Sequence, residues 1–150
     1  MKLALTITKG HDPKSLTILG SSLGGFYATY LAEVLGCRAA LLNPAVYPAR
    51  DLARTLDARG VLRTTMYHTN EPFEFRQAYL DEFEALGVAK ITKPRRYFLI
   101  AAKGDEVLDW REMVGHYPLA RKKVLSGSDH GLTDFADYLP EVLQFAGIEL

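Results

Sequence analysis

The 150-residue chain balances 18 Lys and Arg against 18 Asp and Glu, and 48% of it is hydrophobic. That suffices for one core and is too little for two ordinary domains, and the composition excludes disorder, collagen-like repeats and an acidic solvating tail. Neutral charge removes the electrostatic reason to expect nucleic acid as a partner, and a single cysteine, Cys37, excludes an internal disulfide and a multi-cysteine metal site.

In chain order, Met1 to Lys9 comes first, with Leu3, Leu5 and Ile7 alternating with polar or small residues, which suits a short strand or the remnant of a helix. The run is too short and too interrupted by Thr for a signal peptide. No later stretch reaches the roughly 18 apolar residues of a membrane span. A protein that is soluble, cytoplasmic and kept reduced is expected. Leu16 to Leu19 is a β-rich run ending at Gly20, and Leu23, Phe26, Tyr27, Tyr30, Leu31 and Val34 then recur at helical spacing up to Gly36. Arg38 to Leu42 is a second strand, stopped by Asn43-Pro44.

The interval from Asn43 to Arg95 breaks that rhythm. It predicts a mostly helical, cap-like insertion at about 44–94 within a single domain of residues 1–150, with Val61 to Tyr67 its one strand candidate. Asp51 to Arg59 has the alternating charges of a solvated helix face, and Phe73, Phe75, Tyr79, Phe83 and Leu86 give the stretch after Pro72 an apolar side, as core or as the lining of an acyl pocket. Lys90, Lys93, Arg95 and Arg96 form a basic loop that is either simply solvated or steers an anionic substrate. Tyr97 to Ala102 is a third strand, followed by a helix from Asp109 to His116. Lys123 to Leu125 is a fourth, followed by a helical region from Thr133 to Ala146 with a break at Pro140. Strands apolar on both faces and separated by helices predict an α/β fold, a mostly parallel sheet covered on both sides as a three-layer sandwich.

Gly20-Ser21-Ser22-Leu23-Gly24 fits G-x-S-x-G, a pattern that this composition supplies by chance only about 0.03 times in such a chain. Its place between strand and helix raises its weight. A nucleophile elbow must reverse strand into helix within a few residues, presenting a serine in strained backbone conformation at the sheet's carboxyl edge. Gly20 and Gly24, two positions either side of Ser22, are expected to prevent collision in that turn, with Gly25 adding clearance. The amide of Leu23, at the helix N-terminus, would donate to a developing oxyanion. A phosphate-binding loop is the weaker alternative, because G-K-[ST] and G-x-G-x-x-G are both absent.

A serine nucleophile needs a base, and the base an orienting acid. Asp105 lies just past the third strand, with Glu106 and Asp109 as rival carboxylates and helix capping as its bland alternative. His130 follows the fourth strand. Of the other histidines, His11 precedes the first strand, His68 lies in the insertion and His116 in a helix. The order Ser22, Asp105, His130 is that of the α/β-hydrolases. Nothing in the chain calls for a cofactor or a metal.

With these residues in place, the chain resembles the YqiA/YcfP-like esterase family of that superfamily. The likeness rests on Gly20-Ser21-Ser22-Leu23-Gly24-Gly25-Phe26-Tyr27-Ala28-Thr29, on Leu42-Asn43-Pro44-Ala45-Val46, on Gly104-Asp105-Glu106-Val107-Leu108-Asp109 and on Asp129-His130. It implies a Ser22 nucleophile, a His130 general base and an Asp105 orienting acid acting on small-molecule carboxylic esters or acyl thioesters. The departure is at the front. Such enzymes open with a strand leading into an H-G-F type loop that gives a second oxyanion donor, and nothing like it precedes Leu16. An N-terminally incomplete sheet is therefore expected, with one edge exposed or covered by a second subunit as a homo-oligomer, or with the start lying inside a longer protein. Loss of one oxyanion donor costs about 2.7–4 kcal/mol of transition-state stabilisation. The competing expectation is a catalytically weak or inactive hydrolase-like interaction domain.

Overall fold

In the computed structural model, which describes residues 1–65 and 69–149, there are six strands. They are β1 (Thr17–Ser21), β2 (Arg38–Leu42), β3 (Val61–Thr65), β4 (Pro72–Arg76), β5 (Tyr97–Ala102) and β6 (Arg121–Leu125). The α-helices are α1 (Lys2–Thr8), α2 (Leu23–Leu35), α3 (Pro48–Ala53), α4 (Gln77–Leu86), α5 (Trp110–His116) and α6 (Leu139–Ala146). Two units contain them: Met1–Val46 with Val88–Leu150, and Tyr47–Gly87.

The first unit is an all-parallel sheet in the order β1-β2-β5-β6. Every residue of β5 is buried, which requires cover on both faces. Side-chain alternation divides that cover. Ala39, Leu41, Tyr97, Leu99 and Ala101 pack with Ala28 and Ala32 of α2 and Met113 and Tyr117 around α5. Ala40, Leu42, Phe98, Ile100 and Ala102 face the other way, onto Leu125, Leu132, Val142 and Phe145. Fully buried Leu99 and Ile100 contribute about 1.5–3 kcal/mol each, one to either face. No strand among the described residues pairs with the outer edge of β1. No helix among them is long and apolar enough to cross a membrane.

The open choice at the N-terminus resolves as a helix: α1 buries none of its residues. Pro140 does not break a helix but starts one, lying in the first turn of α6, where a missing N–H costs nothing. A separate short 3-10 turn, Phe135–Asp137, precedes it.

The second unit is less helical than its sequence suggests. β3 and β4 pair antiparallel, Leu62 opposite Phe75 and Thr64 opposite Phe73. The aromatic series after Pro72 mixes two periods, two residues from Phe73 to Phe75 in β4 and four from Phe75 to Tyr79 to Phe83, the last two in α4. Phe75 stacks on Phe83 at 6.0 Å and meets Tyr79 at 5.1 Å, so these rings pack on one another. The strand candidate's last residue, Tyr67, and His68 lie outside the described residues.

Candidate active site

β1 ends at Ser21 and α2 begins at Leu23, leaving only Ser22 to make the turn. Its backbone takes φ 51° and ψ −122°, a conformation that costs a non-glycine residue about 1–3 kcal/mol. The turn is over-determined by hydrogen bonds: the Ser22 N–H donates to Leu42 O, and the Ser22 carbonyl accepts from Gly25 N and Ala45 N, each at 2.9 Å. Although Ser22 is the N-cap of α2, its hydroxyl makes no capping bond. It points instead to His130, with Oγ 2.9 Å from Nε2. The Leu23 N–H belongs to the first turn of α2, where amides have no acceptor within the helix.

The glycines divide the work differently from the expected pattern. A Cβ on Gly20 would lie 2.3 Å from the Gly24 carbonyl oxygen and 2.8 Å from Ala28 Cβ, and one on Gly25 would lie 2.5 Å from Pro44 Cβ. A Cβ on Gly24 would meet nothing within 4 Å. Gly24 therefore contributes its close-lying carbonyl rather than clearance of its own, and Gly25 is what lets Pro44 approach.

Asp105 follows β5 by three residues. Its Oδ1 accepts from the Val107 and Leu108 amides, each at 2.8 Å, and both carboxylate oxygens lie 3.0 Å from His130 Nδ1. The Asp105 side chain is wholly buried and that of His130 is 21% exposed. The rival carboxylates are used elsewhere: Glu106 Oε2 accepts from the His130 N–H at 3.0 Å, and Asp109 caps α5 by accepting from the Arg111 N–H at 2.9 Å. Beyond His130, the Asp134 carboxyl takes hydrogen bonds from the Ser128 and Tyr138 hydroxyls, which hold its pKa below the ordinary value.

Thus Ser22, His130 and Asp105 stand in one chain of hydrogen bonds. With Nδ1 turned to the carboxylate, Nε2 faces the serine hydroxyl, an arrangement able to accept the serine proton. His116 sits over the ring of Tyr117, with burial lowering its pKa. The basic residues Lys93, Arg95 and Arg96 precede the N-terminal end of β5, about 20 Å of strand from the Asp105 end.

A parallel sheet with helices on both faces and this turn after its edge strand is an α/β-hydrolase fold, and solved structures agree. The crystal structure named "Putative hydrolase from Agrobacterium vitis S4" superposes with TM-score 0.75 at 21% identity, covering 99% of this chain and 67% of that one. Alpha/beta hydrolase domain-containing protein 10 from mouse gives 0.69 at 17% identity, covering 97% and 66%. The esterase domain of a Rhodothermus marinus protein gives 0.63 at 21% identity, covering 95% and 64%. The chain thus spans about two thirds of the length of these structures. It belongs to Uncharacterised protein family (UPF0227), the YqiA/YcfP-like esterase family, whose model matches residues 2–147.

Proposed function

We propose that the chain is a serine hydrolase of carboxylic esters or acyl thioesters. The observation that carries this reading is His130 held between Ser22 Oγ at 2.9 Å and the two Asp105 oxygens at 3.0 Å. Ser22 Oγ attacks the acyl carbonyl while His130 Nε2 takes its proton, and Asp105 stabilises the imidazolium that forms. The Leu23 amide donates to the oxyanion of the tetrahedral intermediate. Collapse expels the alcohol or thiol, which leaves with the proton from Nε2. Water then attacks the acyl-Ser22 ester, its proton passing to Nε2 and on to the departing Ser22 oxygen, and the carboxylic acid is released. The likeness to structures named as a hydrolase and an esterase domain favours the same chemistry.

The test is labelling by a fluorophosphonate, with ester hydrolysis measured alongside. Wild type is expected to label and to turn over p-nitrophenyl esters, while Ser22→Ala and His130→Gln lose both by a factor of about 1,000 or more. A folded wild-type protein that takes no label overturns the proposal in favour of a non-catalytic interaction domain.

A further inference from the structure

We propose that Asn43 is a positioning residue for His130, fixing the imidazole over Ser22; this rests on the hydrolase reading above. The sheet order makes such a device necessary. Ser22 follows β1 and His130 follows β6, three strands apart in the order β1-β2-β5-β6. At about 4.8 Å per strand, the histidine loop must return some 14 Å across the carboxyl edge, over β5 and β2. Asn43 is the first residue after β2 and lies under that path, level with Ser22 in the register that pairs Ser21 with Leu42.

Asn43 is fully buried, and every hydrogen bond of its amide serves this crossing. Nδ2 donates to Asp129 O at 2.9 Å and to His130 O at 3.0 Å, while Oδ1 accepts from the Ala102 N–H at the end of β5 at 2.8 Å. Only one orientation of the amide satisfies two carbonyls and an N–H, so its assignment is not arbitrary. Its own N–H donates to Ile100 O at 2.9 Å. One side chain thus ties β2, β5 and the loop after β6 together. With Glu106 accepting from the His130 N–H, the peptide units on both sides of the histidine are held, which fixes where its ring stands. Asn43 carries φ 40°, a left-handed conformation that asparagine, aspartate and glycine tolerate best. Those residues therefore make the informative variants.

Asn43→Gly keeps the backbone conformation and removes the clamp; Asn43→Asp keeps the shape and the acceptor for Ala102 but faces two carbonyls with an oxygen. Three readouts separate positioning from general stability: the esterase kcat and KM, the fluorophosphonate labelling rate, and the downfield proton resonance of His130 Nδ1–H bonded to Asp105. Folded variants are expected to lose about 100-fold in kcat and labelling rate with KM within about two-fold, as for an ångström of misplacement, and to show the resonance shifted or broadened. A folded variant with kcat, labelling and resonance like wild type overturns the proposal. If both variants fail to fold, the wild-type protein decides. Asn43 Nδ2 protons must be protected from solvent exchange and coupled to the Asp129 and His130 carbonyls, and rapid exchange overturns the proposal. Absence of labelling in wild type counts against the hydrolase reading, while resonance and exchange still judge Asn43.

Discussion

Adding one methyl group at each of three neighbouring glycines is expected to give three different results. At Gly24, inside α2 with open space around its Cβ position, alanine gains helix propensity, about 0.5 kcal/mol of stability. Gly25→Ala takes the same gain but sets its Cβ 2.5 Å from Pro44 Cβ and 2.8 Å from Pro44 Cα, where carbon atoms prefer about 3.5–4.0 Å. The proline ring cannot swing aside, because its backbone is part of the obstruction. The chain must move by about 1 Å, an overpacking cost of about 1–3 kcal/mol that leaves a net loss of about 0.5–2.5 kcal/mol. Gly20→Ala meets only backbone and a rigid Cβ, at 2.3 Å from Gly24 O, 2.6 Å from Gly24 C and 2.8 Å from Ala28 Cβ, and gains no helix propensity. It is expected to lose about 3 kcal/mol, some 6 °C or more in Tm for a chain of this size. Urea unfolding followed by the fluorescence of the single tryptophan, Trp110, measures all three. Gly25→Ala should also slow labelling of Ser22, since Ala45, next to Pro44, donates to the Ser22 carbonyl. A Gly24→Ala variant as unstable as Gly25→Ala, or a Gly25→Ala variant as stable as wild type, would refute the steric assignment.

Ser22→Gly is expected to abolish esterase activity yet raise stability by up to about 1 kcal/mol in urea, because glycine adopts φ 51° without the strain that serine stores there; a less stable variant would contradict that. Tyr117→Phe removes the 2.7 Å bond to Thr29 in the core and should cost about 1 kcal/mol. Burial pushes the Tyr117 hydroxyl up to about 12, so the loss should be the same at pH 6 and pH 9. Glu33→Gln tests pH linkage. Burial raises the Glu33 carboxyl, but hydrogen bonds from Tyr97 and Thr92, with the Arg96 charge, outweigh it and leave its pKa below 4.5. A depressed carboxylate stabilises the fold above its unfolded value and loses that contribution as pH falls through the folded one. Wild type should therefore exceed Glu33→Gln by about 1 kcal/mol at pH 7, with the gap closing below about pH 4.5; a gap that stays constant down to pH 3 refutes the linkage.

What was legible in the chain is what is local. Ser22, Asp105 and His130 each follow their own apolar run within a few residues, so strand recognition alone places all three on the carboxyl edge of a parallel sheet. The contacts that refine the site are not local. Gly24 and Gly25 look equivalent in a motif, and only the approach of Pro44, from the segment after β2, distinguishes them. Asn43 reads as a strand stop before proline, because its partners Asp129 and His130 lie 86 and 87 residues away. In the Tyr47–Gly87 unit the failure is one of period: Phe75 belongs to the strand series with Phe73 and to the ring cluster with Tyr79 and Phe83, and a helical template absorbs both.

The histidine loop also shows why its supports are distributed. Ser128 at φ 66° and Leu132 at φ 49° are both left-handed non-glycine residues, so the loop carries strain of about 1–3 kcal/mol at each. Such a path persists only if other interactions exceed that cost. Leu132 is 3% exposed against the face formed by Phe98, Ile100 and Val142, worth about 1.5–3 kcal/mol, and the Asn43 amide and Glu106 carboxylate hold the backbone on either side of the ring. Apolar burial of this kind anchors the loop but leaves the direction of the imidazole free to vary; the directional bonds of Asn43 and Glu106 narrow it. Losing Leu132 should therefore act chiefly on stability and losing Asn43 chiefly on the geometry at Ser22, because the first removes undirected burial and the second a bond with a fixed angle.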